Sequence, residues 1–195
     1  EILKHCQKQN TYIMVDETYI EFAENMDELT SVPLAEKYDN IFIIRGISKF
    51  FAAPGLRLGY GICGDRRFME HLGGIKDPWS VNILAAFAGE RLFSDSAFIK
   101  RTKELVSSER EKAYRELSTW KNVKFYKSNS NFILLRLLTD KISAGEIFER
   151  LIVKKLLIRD ASSFTYLDES FLRFSFLDPE ANALLLRELK KLVED

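Results

Sequence analysis

Residues 46–60 read G-I-S-K-F-F-A-A-P-G-L-R-L-G-Y, so that a hydroxyl (Ser48), a lysine (Lys49), a Pro-Gly turn (Pro54-Gly55) and an arginine (Arg57) follow one another between two apolar runs. The run before this segment, Ile41 to Ile44, and the run after it, Leu58 to Cys63, are short and β-prone, the form of buried strands. Gly55, Gly59, Gly61 and Gly64 flank and interrupt the second run, which predicts a strand approached closely by other backbone. Upstream, Tyr12 to Val15 is a third such run and ends in Asp16-Glu17, so a strand delivers carboxylates at its C-terminal end. Between it and Ile41 lie Pro33 and a short helix-like piece, Leu34 to Tyr38. Strands separated by crossovers argue for an α/β layer.

Downstream the pattern turns helical. Ser80 is the expected N-cap of a helix running through Phe93, and Ser94-Asp95 opens a longer one. In that second helix Ile99, Val106, Ala113 and Trp120 stand seven apart with Leu117 alongside, an amphipathic rod that bridges to the rest of the chain. The charges between Lys100 and Lys121 are of mixed sign at helical spacing, the pattern of a solvated face. Beyond Trp120 the expected elements are strands Val123–Tyr126 and Asn131–Leu137, a helix Ala144–Val153 opened by the capping-box pair Ser143 and Glu146, strands Leu156–Arg159 and Phe171–Phe176, and a helix Pro179–Val193 capped by Asp178. The expected organisation is residues 1–94 as part of an α/β layer, 95–120 as a bridging helix and 121–195 as a small α+β domain.

Composition narrows the function classes. With 46% hydrophobic and 30% charged residues the 195-residue chain has ample material for a core and a solvated surface. Twenty-nine Lys plus Arg balance twenty-nine Asp plus Glu, which removes the basic excess expected of a nucleic-acid or anionic-membrane binder. No apolar run approaches the ~20 residues of a membrane helix. Two cysteines, Cys6 and Cys63, are too few for a disulfide framework, and two histidines, His5 and His71, offer no metal-ligand spacing; the expectation is free thiols in a reducing cytoplasm and no metal. The chain opens on Glu1 in what reads as the tail of a helix, the expected look of a piece of something longer.

Chemistry concentrates at a few positions. A lysine beside a serine is weak evidence alone, but Arg57 lies eight residues on, amid apolar residues and glycines where a charge needs a partner. An oxyanion such as phosphate would supply one, since guanidinium and hydroxyl groups bind it well. Asp16, at the end of a buried strand, sits either at the rim where α/β sheets bind ligands or merely as the cap of the next turn. Tyr19, three residues on, shares its side if the chain turns helical there.

V-D-E-T-Y (15–19) followed by S-K-F-F-A-A-P-G-L-R-L-G-Y (48–60) resembles the fold-type I pyridoxal-phosphate enzymes, and most closely the group of histidinol-phosphate aminotransferases and threonine-phosphate decarboxylases. The resemblance extends to P-W-S-V-N (78–82), S-N-F-I-L-L (130–135), L-I-R-D (157–160) and F-L-R-F-S (171–175). It implies a partial cofactor-binding large domain, with a mostly parallel sheet, joined to a small C-terminal α+β domain. It further implies Lys49 as the covalent anchor of pyridoxal phosphate and as general acid and base, Asp16 as a buried carboxylate partner of the pyridine nitrogen, and Tyr19 as hydrogen-bond donor to the ring hydroxyl. Ser48 and Arg57 become phosphate contacts; Arg173 holds the substrate carboxylate, with Arg159 nearby. Gly46 departs from the pattern, because the family commonly carries a hydroxyl three residues before the lysine. The phosphate-cradling loop, the ring-stacking aromatic and an Asn beside the ring hydroxyl belong to a part of the family's sequence upstream of this chain.

The resemblance thus implies an aminotransferase exchanging an amino group between a phosphorylated amino donor and a 2-oxo acid, as a cytoplasmic homodimer. P-W-S-V-N and the fourteen-residue interval from Arg159 to Arg173 lean towards the decarboxylase. A different class is a catalytically silent binding or assembly fragment. Along the last strand Phe171, Arg173 and Ser175 alternate with Leu172, Phe174 and Phe176, which directs Arg173 away from the packed side, towards a cleft between domains.

Overall fold

The structure, a computed structural model, describes residues 1–194. It comprises two compact units, Glu1–Thr102 and a second beginning at Lys103.

The first unit is built on a three-stranded sheet of order β1-β2-β3, from Ile13–Asp16, Ile41–Gly46 and Gly59–Cys63. β1 and β2 are parallel and β2 and β3 antiparallel, so the sheet is mixed rather than mostly parallel. α1 (Ile2–Lys8) leads into β1, and the crossover from β1 to β2 carries the short helices α2 (Met26–Leu29) and α3 (Val32–Ala35). β2 is the central strand: Ile41 and Ile43 are fully buried with Ala35, and Leu3, Val15, Val32 and Ile62 pack around them. The glycines in and just after β3 permit the expected close approach, for a Cβ on Gly59 would stand 3.0 Å from the Arg45 carbonyl oxygen and one on Gly64 only 2.0 Å from that of Ala35.

Two helices follow, α4 (Arg66–Ile75) and α5 (Ile83–Ser94). α4 is a helix that the apolar pattern did not predict; the Asp65 carboxylate caps it by accepting the Arg67 and Phe68 N–H groups. α5 is capped by Asn82, not Ser80, because it is the Asn82 Oδ1 that accepts the Ala85 N–H. α6 (Ser96–Leu117) contains the boundary between the units.

The second unit has an antiparallel sheet of order β4-β5-β7-β6, from Val123–Tyr126, Phe132–Leu137, Phe171–Ser175 and Arg159–Asp160, with α7 (Ala144–Ile152) and α8 (Pro179–Val193). The expected strand at 156–159 is therefore shorter and displaced to Arg159–Asp160. The capping box of Ser143 and Glu146 and the Asp178 cap are both formed. Ile133, Leu135, Ile147, Leu151, Leu172 and Leu189 form the fully buried core. One face of α6 joins it through Val106, Ala113 and Leu117. The charged run on α6 is not wholly solvated: Glu109 and Arg110 are buried, Glu109 accepting a hydrogen bond from Asn182 Nδ2 (2.9 Å) and Arg110 donating to the Ser130 carbonyl (3.1 Å). Periodicity alone could not assign them inward, since each depends on a partner distant in sequence.

Candidate active site

Strand direction gathers the sequence-predicted residues of the first unit. Asp16, the last residue of β1, is registered with Ile44 in the parallel ladder, and Gly46, the last residue of β2, with Gly59, the first of β3. The C-terminal ends of β1 and β2 and the N-terminal end of β3 therefore share one end of the sheet. Tyr19 lies three residues past β1, Ser48 and Lys49 follow β2, and Arg57 precedes β3.

The segment carrying Lys49 is held by its neighbours. Ile47 and Phe50 are buried on either side of an exposed Lys49 and a half-buried Ser48. The Ile47 N–H donates to the Leu58 carbonyl (3.2 Å), and the Ala52 N–H to the Lys49 carbonyl (3.2 Å). Phe50 packs against Phe22 and Phe51, with ring centroids 5.1 and 5.2 Å away. From this fixed backbone the Lys49 Nζ stands 5.7 Å from the centre of the Tyr19 ring, which brings an amine and a phenol together.

Arg57 differs from expectation in its surroundings. It is exposed rather than enclosed by apolar side chains, and its Nη1 donates to the Pro54 carbonyl (3.0 Å). Its backbone is left-handed, with φ 54° and ψ 47°. The short helical turn Pro54–Leu56 ends on it, so the guanidinium is presented from the turn and not from a strand face.

The buried carboxylate at the end of β1 is Glu17, not Asp16. Asp16 is exposed, and its Oδ1 accepts the Thr18 N–H (2.9 Å), so the turn-capping alternative is realised in its contacts. Glu17 accepts from the Ser31 N–H (2.5 Å), the Thr30 hydroxyl (2.9 Å) and the Arg45 Nε and Nη2 (3.1 and 2.9 Å). Burial pushes the Glu17 carboxyl up, but the Ser31 N–H, the Arg45 guanidinium and the Thr30 hydroxyl together outweigh it and hold the group below the usual glutamate range. The pair joins the exit of β1 to β2 two residues before Ile47. Sequence reasoning missed it, although adjacent acids on a strand must point to opposite faces and only one can be the outward one.

In the second unit Arg159 and Arg173 are cross-strand partners of β6 and β7. Together with Phe148, Leu157, Asp160 and Phe174 they line a depression of about 600 Å³. The Arg173 guanidinium lies 4.7 Å from the centre of the Phe132 ring; that of Arg159 lies 5.6 Å from the Phe164 ring and donates to the Ser163 hydroxyl (3.0 Å). Neither is in an ion pair among the described residues. Leu172, Phe174 and Phe176 are buried behind Arg173, as the alternation predicts.

Comparison with known proteins identifies the family. The family model "Aminotransferase class I and II" matches residues 1–189. A protein of Caldanaerobacter subterraneus subsp. tengcongensis named "Putative threonine-phosphate decarboxylase" is 38% identical over 194 residues, covering 100% of this chain and 52% of the relative. The histidinol-phosphate aminotransferase of Methanosphaera stadtmanae is 33% identical over 195 residues, again 100% of this chain and 52% of the relative. Among solved structures, the histidinol-phosphate aminotransferase from Clostridium acetobutylicum superposes with a TM-score of 0.89 at 30% identity, covering 98% of this chain and 57% of that one. The chain thus spans about half the length of the relatives it matches. Nearly all of it falls within one family model and one known fold, and it belongs to the class I and II aminotransferases.

Proposed function

We propose that the protein at its full length is a pyridoxal-phosphate-dependent aminotransferase of the histidinol-phosphate type, exchanging an amino group between a phosphorylated amino donor and a 2-oxo acid. The observation that carries this reading is the Lys49 Nζ beside the Tyr19 ring, at the end of the sheet that also presents Asp16, Ser48 and Arg57. The donor set fits pyridoxal phosphate group by group: an amine for the aldehyde, a carboxylate for the ring nitrogen, a phenol for the ring hydroxyl, and a hydroxyl with a guanidinium for the phosphate. When bound, the cofactor supplies the electron sink that makes the α-hydrogen of an amino substrate acidic.

The chain's own residues do the rest. Lys49 would anchor the cofactor and serve as base and acid for the proton at the substrate α-carbon; with Ile47 and Phe50 fixed, the amine moves by its own side-chain torsions. Asp16 keeps the ring nitrogen protonated, and the Thr18 N–H orients its carboxylate. Tyr19 donates to the ring hydroxyl beside Lys49. Ser48 and Arg57 hold the phosphate. Arg173, assisted by Arg159, takes the carboxylate of the substrate with its bidentate fork.

A second reading, threonine-phosphate decarboxylase, is favoured by the name of the 38% identical relative and by the P-W-S-V-N segment. The two differ in which bond at the α-carbon stands perpendicular to the ring, C–H for transfer and C–carboxylate for decarboxylation. Incubation of the full-length protein and pyridoxal phosphate with histidinol phosphate plus a 2-oxo acid, and separately with threonine phosphate, separates them. Amino-acid formation in the first mixture supports the transferase; carbon dioxide release in the second replaces it with the decarboxylase. A homodimer in the cytoplasm completes the proposal, and an active monomer at micromolar concentration in sedimentation would contradict the dimer.

A further inference from the structure

Asn82 holds two backbone groups at once. Its Oδ1 accepts the Ala85 N–H (2.9 Å) and so caps α5, while its Nδ2 donates to the Leu56 carbonyl (3.1 Å), 26 residues earlier in the chain. Capping needs only the acceptor, which serine, threonine or aspartate supplies equally well. The amide's donor arm is therefore surplus to the helix, and it reaches the residue immediately before Arg57.

Arg57 is where such a hold has an effect. A non-glycine residue at φ 54° persists in the left-handed region when its surroundings over-determine it. Both flanking carbonyls are fixed: that of Leu56 by Asn82, and that of Leu58 by the Ile47 N–H (3.2 Å). α5 also approaches this turn closely through Gly89, where a Cβ would stand 2.6 Å from the Leu58 Cδ2. The helix thus meets the turn at two points, one polar and one steric, on either side of Arg57 in sequence.

We propose that Asn82 is a positioning residue for Arg57, fixing the left-handed turn that aims the guanidinium at the cofactor phosphate. The proposal rests on the reading of Arg57 as a phosphate ligand. Its role is distinct from capping, because the two functions use opposite ends of one amide.

The test compares pyridoxal phosphate with pyridoxal, which lacks the phosphate, titrated into the full-length protein by absorbance. The ratio of the two dissociation constants isolates the phosphate contribution. Asn82→Ser keeps a neutral oxygen for the Ala85 N–H but is too short to reach Leu56. The expected result is a Kd for pyridoxal phosphate raised about five- to tenfold, the effect of one lost hydrogen bond, with the Kd for pyridoxal and the melting temperature close to wild type. Asn82→Ala should lower the melting temperature as well, through the lost cap, and shift the ratio no further. Arg57→Ala should collapse the ratio. If it does and Asn82→Ser leaves the ratio at the wild-type value, or weakens both ligands equally, the positioning role is overturned while Arg57 keeps its own. If Arg57→Ala leaves the ratio intact, Arg57 is not the phosphate ligand and the proposal falls with that reading.

Discussion

Arg159 stands directly opposite Arg173 in the antiparallel ladder of β6 and β7. Like charges in that relation repel, and each guanidinium is instead settled on an aromatic ring. An anion bound over the pair would relieve the repulsion. Arg159→Gln should accordingly raise the stability of the protein without substrate by about 0.2–1 kcal/mol, measured by urea denaturation, while weakening substrate. Arg173→Lys loses the bidentate fork and should weaken the substrate by about 1–3 kcal/mol. Cofactor affinity should be unchanged; equal losses of both would place Arg173 in the scaffold.

Borohydride reduction of the full-length protein loaded with pyridoxal phosphate should fix the label on Lys49, identified by peptide mapping. A label on any other lysine removes the central assignment.

Asp16→Asn is an unusually clean substitution. The amide oxygen can still accept the Thr18 N–H, so the turn after β1 and the melting temperature should be preserved. An amide does not hold the ring nitrogen protonated, and turnover should drop by orders of magnitude. Near-normal turnover would reduce Asp16 to its turn contact.

Glu17 and Arg45 should show up in stability rather than in chemistry. Glu17→Gln leaves the half-buried Arg45 guanidinium without its counter-charge and should cost about 1–3 kcal/mol in denaturant unfolding at neutral pH. The folded pKa of Glu17 lies below its unfolded value, so the pair's contribution is complete above the ordinary glutamate range and is lost as the pH falls through the folded pKa. Wild type should lose stability on acidification below about pH 4.3, and Glu17→Gln should lose less over the same range.

The strand alternation at Leu172, Phe174 and Phe176 and the caps at Ser143 and Asp178 were legible in sequence because each follows from residues within one turn or one pleat. The same holds for the close-approach glycines. What escaped was long-range. The burial of Glu17 depends on Arg45 and Thr30, 28 and 13 residues away along the chain and brought together only by the β1–β2 crossover. Glu109 needs Asn182, 73 residues distant. Ser80 reads as the cap in sequence, where Asn82 forms it, because helix propensity does not report which oxygen meets the first free N–H. At the site the residue types were readable, but the exposure of Asp16 and the left-handed turn at Arg57 were not, since both are set by how neighbouring segments exit the sheet.

The left-handed backbone of Arg57 ties charge to geometry in a way that constrains any improvement of this protein. Glycine is the residue that relaxes φ 54° at least steric cost, and it is also a residue that abolishes the cation. A library selected for thermal tolerance alone should therefore enrich Arg57→Gly, while one selected for turnover should retain the arginine and place its stabilising changes elsewhere. The two selections should diverge at this codon first.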